Sequence, residues 1–190
     1  MRKIWVLIMV AGLSLTLHAE IKKSYYPDGK VKFVRKYENG KLNGISKGYY
    51  QSGKLKVVSR FKDGKTYGWT VGYYENGQVK AEMPFRYGKL DGTVREYYPN
   101  GQLKSVAKYV EDIPVGTKTV YYPNNILKAR IHYDDDGKLD GTSKEYFENG
   151  NLYYSIIFDH GKAVKGWLYD RKGNRKRMTE LDFDKMGLEY

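Results

Sequence analysis

Cysteine is absent from the 190 residues, so disulfides, thiolate nucleophiles and cysteine-ligated zinc are excluded. Histidine is scarce: there are three, and His132 and His160 stand alone, with no partner at a metal-binding spacing. Proline occurs five times, few enough to leave extended runs uninterrupted. Acidic residues are in the minority, 22 against 34 Lys and Arg, for a formal charge of +12. Long apolar runs are missing, apart from Ile4 to Leu17, which as a helix would reach only ~21 Å against a hydrocarbon core of about 30 Å.

That one short run has the shape of a targeting segment. Arg2 and Lys3 precede it and Leu17-His18-Ala19 closes it on a small residue, so residues 1–19 read as a signal peptide, with the mature chain starting near Glu20. A membrane anchor is the alternative, disfavoured by length. The expected location is the periplasm, the outer envelope or the exterior. Losing Arg2 and Lys3 takes the charge from +12 to +10, and a chain this basic is drawn to anionic surfaces.

What is abundant points to β structure: 20 tyrosines and 21 glycines. An aromatic pair recurs as Tyr25-Tyr26, Tyr49-Tyr50, Tyr73-Tyr74, Tyr97-Tyr98, Tyr121-Tyr122 and Tyr146-Phe147, at offsets of 24, 24, 24, 24 and 25. Each is followed by a turn dipeptide: Asp28-Gly29, Ser52-Gly53, Asn76-Gly77, Asn100-Gly101, Asn124-Asn125 and Asn149-Gly150. A period in this range marks a repeat array. Asn-Gly between extended runs predicts a two-residue type I′ hairpin. That turn sets Tyr98 against Leu103, Tyr97 against Lys104 and, at the far end, Gly92 against Tyr109.

The same arithmetic sets Gly44, Gly68, Gly116 and Gly141 against Phe61, Phe85, Tyr133 and Phe158, as though each ring shielded a bare glycine. One face of each hairpin is expected to be buried, with Tyr98, Leu103, Ser105, Ala107 and Tyr109 as one example and Leu152, Tyr154, Ile156 and Phe158 as another. Second turns near Gly40, Gly64, Gly88, Gly137 and Gly161 join the hairpins. The departures at Glu111-Asp112 and Asp134-Asp135-Asp136 mark the junctions where a bend or bulge is expected. The fold class is therefore all-β: an elongated single antiparallel β-meander of tandem hairpins over residues 20–165, about six units, with residues 166–190 as a degenerate seventh unit and a C-terminal cap or tail. Leu181, Phe183 and Met186 are the residues expected to cover the last hairpin.

The stretch from Gly92 to Lys104, with its Tyr-Tyr-x-Asn-Gly core at Tyr97 to Gly101, resembles the MORN repeat in its bacterial variant. The resemblance runs over about residues 21–165. It implies a long twisted antiparallel sheet and roles in binding, tethering or membrane association. Some bacterial members carry an antitoxin label, which export of this chain disfavours.

Lys32, Lys56, Lys80, Lys104 and Lys128 recur in step and are predicted to lie across from Tyr25, Tyr49, Tyr73, Tyr97 and Tyr121. Rings interleaved with ammonium groups suit an anionic glycan or lipid. The plainer alternative is that the lysines keep a repetitive sheet soluble.

Other candidate chemistry is weak. Gly44-Ile45-Ser46-Lys47-Gly48 fits G-x-S-x-G, but the strand-turn-helix context and a His-acid pair are missing. Asp134-Asp135-Asp136-Gly137 lacks the alternating frame of a calcium loop. No phosphate loop occurs. The reading is of a non-enzymatic exported scaffold without catalytic residues, metal or cofactor. Its partner is a protein or an anionic envelope component; a secreted adhesin-like module is the alternative, and an antitoxin-type neutralising partner a minor one. Nucleic acid is disfavoured, while peripheral membrane contact and an edge-strand homodimer stay open.

Overall fold

The computed structural model describes residues 19–190. The expected targeting segment, apart from Ala19, lies outside the described residues. The strands are β1 (Ala19–Tyr25), β2 (Val31–Glu38), β3 (Lys41–Leu42), β4 (Gly44–Tyr49), β5 (Leu55–Lys62), β6 (Lys65–Tyr73), β7 (Val79–Arg86), β8 (Lys89–Leu90), β9 (Gly92–Tyr97) and β10 (Leu103–Val110). They continue as β11 (Ile113–Tyr121), β12 (Leu127–Tyr133), β13 (Gly141–Tyr146), β14 (Leu152–Asp159), β15 (Lys162–Tyr169) and β16 (Arg175–Arg177), followed by the helix α1 (Glu180–Lys185). All sixteen strands form one long, open antiparallel sheet in which neighbours in sequence are neighbours in space. The all-β meander of tandem hairpins read from the sequence is thus the observed architecture.

The two rims use different turns, and the type I′ turn predicted at the aromatic rim is not the one found there. At Tyr98 to Gly101, the Gly101 N–H donates to the Tyr98 carbonyl at 2.9 Å and the Tyr98 N–H to the Gln102 carbonyl at 2.8 Å. Of the loop residues only Gly101 has positive φ, 83°, so this is a three-residue loop on a type I turn, not the two-residue type I′ turn. Asn100 acts through its side chain, whose Oδ1 accepts from the Gln102 N–H at 3.1 Å. In the fifth hairpin Asn125 stands in for the glycine, at φ 64°.

Type I′ turns occur at the junctions between hairpins. Both central residues are left-handed at Asn39-Gly40, Asp63-Gly64, Tyr87-Gly88, Glu111-Asp112 and His160-Gly161. The departure at Glu111-Asp112 therefore keeps the common turn. The extra residue at Asp134 to Gly137 changes it: Gly137 donates to the Asp134 carbonyl at 3.2 Å and Asp134 to the Lys138 carbonyl at 2.9 Å, the three-residue form of the other rim.

The longer loop also shifts the register near each tip. Tyr97 faces Leu103, not Lys104, and Glu96 faces Ser105, so Lys104 is the extra residue of a bulge; Tyr98 does not pair with Leu103. From there the predicted register holds to the far end, where Gly92 faces Tyr109, and the other four glycine–aromatic pairs are found as well. The reason for glycine differs from the one expected. Gly92 has φ 127°, and a Cβ there would lie 2.9 Å from Pro84, not against Tyr109. A ring does cover a glycine elsewhere: a Cβ on Gly48 would meet Phe33 at 2.8 Å.

The sheet has no second layer along most of its length, so the face expected to be buried is mostly half-buried, with small side chains such as Ser46, Thr70, Ser105 and Ala107 deepest. A compact core forms only at the C-terminal end, from Ile156, Phe158, Ala163, Met178 and Phe183, with Leu139, Tyr154, Leu168 and Leu188 packed against it. Phe183 covers the last hairpin as expected. Leu181 points away at 60% exposure; Met186, 38% exposed, lines a shallow pocket with Tyr154, Ile156, Phe158 and Leu188, and Met178 joins the core that Leu181 does not reach. The helix begins with a capping box, Thr179 accepting from the Asp182 N–H while the Asp182 carboxylate accepts from the Thr179 N–H.

Candidate binding surface

The bulge found at Lys104 recurs. Lys32, Lys56, Lys80 and Lys128 each fall between paired residues at the tip of their hairpin, for example between Tyr25↔Val31 and Ser24↔Phe33. The five lysines therefore do not sit across from Tyr25, Tyr49, Tyr73, Tyr97 and Tyr121, as the shorter turn would have placed them. Four of them reach the second tyrosine of their pair. Lys32, Lys56, Lys80 and Lys128 hold their Nζ 5.5, 5.4, 5.7 and 5.5 Å from the ring centres of Tyr26, Tyr50, Tyr74 and Tyr122. Lys32, Lys56, Lys80 and Lys104 are exposed and Lys128 is half-buried.

Those second tyrosines are anchored at their far ends. Tyr26, Tyr50, Tyr74, Tyr98 and Tyr122 donate their hydroxyls to the backbone carbonyls of Tyr49, Tyr73, Tyr97, Tyr121 and Tyr146, at 2.6 to 2.8 Å. Pairing between the third and fourth hairpins ends at Ala81↔Glu96, so the Tyr97 carbonyl is the first beyond the ladder. The phenol supplies the donor that the neighbouring strand no longer provides. Phe147 has no hydroxyl, and the series stops there.

The first tyrosines do other work. Tyr25 is exposed at 56%, whereas Tyr49, Tyr73, Tyr97 and Tyr121 are half-buried. Tyr97 donates to Glu82 at 2.8 Å; burial, then that carboxylate, raises its pKa. On the opposite face Tyr154 is pushed well above the usual phenol range by burial first and by Glu145 second.

Sequence reasoning missed a second basic feature. On the uncapped face, cross-strand pairing lines up Lys23, Val34, Lys47 and Val58, and further along Glu82, Arg95, Val106, Thr119, Arg130 and Lys144, in one file across the sheet. Directly paired side chains point to the same face. Glu82 is the acidic member, already engaged by Tyr97. The signal was present as a 24-residue step from Lys23 to Lys47, with Arg95 and Lys144 further on, but it needed the register to be seen as one face.

The six aromatic–turn units coincide with six matches to the MORN repeat variant model, at residues 21–39, 42–63, 70–87, 90–111, 114–135 and 139–160. The chain belongs to the MORN repeat variant family. Five of the MORN matches end at a left-handed junction residue, Asn39, Asp63, Tyr87, Glu111 or His160 adjoining the turn, so one family unit is one hairpin between junctions. A search of curated proteins finds no match. MORN repeats generally serve in binding proteins or membrane lipids and are generally non-catalytic. Ser46 of the G-x-S-x-G stretch is buried in the middle of β4, a strand position and not a strand-to-helix turn. Among the described residues no group of three or more His, Asp or Glu is arranged to hold a metal ion.

Proposed function

We propose that this MORN chain is an exported, non-enzymatic scaffold that docks on an anionic surface of the cell envelope, glycan or lipid, through its lysine-bearing rim. The observation that carries the reading is the row of bulge lysines at one point in each of five successive hairpins. Two strands separate one lysine from the next, about 10 Å at the usual strand spacing. The tyrosine beneath Lys32, Lys56, Lys80 and Lys128 is fixed by its hydrogen bond to the following hairpin, which limits the entropy lost when an anion binds. The file of cations on the open face adds charge of the same sign. The leader-like segment and the basic balance of the remaining chain support export to an envelope surface.

A lysine near an anionic surface contributes about 1 kcal/mol, so reversing three should weaken retention by at least a hundredfold. The test is co-sedimentation with anionic vesicles and retention on an anionic polysaccharide resin, comparing the parent with Lys56→Glu/Lys80→Glu/Lys104→Glu. Loss of retention on either material is the expected result. Equal retention by the triple variant would remove the rim from the proposal.

A further inference from the structure

Three exposed aromatic residues gather at one place on the sheet, at positions where the other hairpins carry something else. Tyr67 occupies the position held by Asn43, Asp91 and Asp140, whose N–H groups donate back across the junction to Lys36, Pro84 and His132. Tyr87 is the first central residue of a type I′ turn, where the others have Asn39, Asp63, Glu111 and His160. Trp69 follows Ile21 and Ile45 and precedes Thr93 in its 24-residue series. Tyr67, Trp69 and Tyr87 are 41%, 52% and 67% exposed, so core packing explains none of them.

Tyr87 is held at φ 52°, a backbone conformation that a bulky side chain adopts only under strain. Its ring stands 6.2 Å from that of Tyr67, tilted by 59°. Lys62 lies over the Tyr67 ring at 5.8 Å. Pairing between β5 and β6 jumps from Ser59↔Thr70 to Phe61↔Thr66, which leaves Tyr67, Gly68 and Trp69 looped opposite Arg60. The Arg60 Cδ lies 4.0 Å from where a Gly68 Cβ would be, so the arginine stem passes beside the glycine that separates Tyr67 from Trp69 in the chain. Arg60 makes no ion pair among the described residues. Together with Ile45, Lys62 and Tyr67 it lines an open groove of about 740 Å³.

We propose that Tyr67, Trp69, Tyr87 and Arg60 form a binding site for an acidic glycan, the rings stacking on pyranose faces and the guanidinium taking a sugar carboxylate. Aromatic faces suit the C–H-rich faces of sugar rings, and an unpaired arginine suits a carboxylate bidentately. The surroundings favour a sugar over an apolar protein anchor. Lys62 and Asp63 line the groove with both signs of charge, and the Arg86–Asp91 ion pair closes the junction that carries Tyr87. An apolar partner would strip water from these groups without replacing it, whereas hydroxyls keep them hydrogen-bonded. The proposal deepens the anionic-docking reading and rests on it for the sign of the ligand.

The test is calorimetric titration of the whole chain with a hexauronate and with an uncharged hexaglucan. Tyr87→Asn relieves the left-handed strain, so its thermal midpoint should equal or exceed that of the parent while hexauronate affinity falls at least tenfold. Arg60→Gln should bind both sugars equally, having lost the preference for the acid. Tyr87→Asn binding the hexauronate as the parent does would overturn the site, as would the absence of hexauronate binding by the parent. The two readings separate cleanly. If the triple lysine variant loses retention while the hexauronate is indifferent to Tyr87, docking stands and this site falls. If Tyr87→Asn abolishes hexauronate binding while the lysine variant is retained, the site stands and the rim falls.

Discussion

Replacing Tyr74 by phenylalanine removes one oxygen atom from the rim and with it the 2.8 Å bond to the Tyr97 carbonyl. A hydrogen bond of this kind contributes about 1 kcal/mol net, and a carbonyl left half-buried without a donor adds a further fraction. Strand pairing cannot take over, because the ladder between these hairpins ends at Ala81↔Glu96. The expected loss is about 1 to 2 kcal/mol, or about 3 to 6 °C in thermal midpoint for a chain of this size. The effect should be local, because each unit of a repeat array is held by its neighbours alone. Hydrogen exchange should therefore quicken at the amides around Glu96 and Tyr97 and stay unchanged in the last hairpin. Tyr25→Phe is the control, since that exposed hydroxyl has no partner in the sheet. A Tyr74→Phe chain that melts with the parent, or a Tyr25→Phe chain that loses as much, would refute the claim that phenol hydroxyls hold hairpin to hairpin.

Other consequences can be checked separately. Gly166→Ala places a Cβ 2.5 Å from the Met178 sulfur and 3.1 Å from the Phe183 ring, so the cap should lift, at a cost of about 1 to 3 kcal/mol, and trypsin should cut at Arg175 to Arg177 sooner; unchanged cleavage would count against the cap. His160 is raised above its ordinary value by its 3.1 Å contact with Asp134 first and by the charges of Asp159 and Asp140 next. The charged pair therefore steadies the junction fully below the ordinary histidine range, and that contribution fades as pH rises through the raised value. Asp134→Asn should lower the imidazole midpoint seen by proton NMR; a midpoint that does not move would show that the contact is not formed in solution.

The meander, its period and the five glycine–aromatic pairs were legible because spacing alone fixes them. What was not legible came from one residue of loop length. Asn100-Gly101 reads equally well as the centre of a two-residue turn or as the end of a three-residue one, and the choice moved Lys104 from a strand position across from Tyr97 to a bulge. The same ambiguity hid the type I′ turns at the other rim, where Tyr87, Glu111 and His160 carry left-handed backbones that no composition rule would assign to them. The hydroxyl bonds between units were invisible for another reason: a tyrosine's partner 23 residues on is a backbone atom, which leaves no trace in side-chain pattern. At the C-terminus the apolar residues of the helix were visible, but which of them turn inward depended on Gly166 offering Met178 a place.

Because every boundary among the six hairpins carries, beside its strand pairing, the same phenol reaching the same carbonyl, the molecule behaves as a ruler with like graduations. Copying or deleting one 24-residue unit in the interior would change its length by about 10 Å and leave every surviving joint intact. Only the last graduation is different: Phe147 cannot form the joint, so growth at that end would first require a tyrosine there.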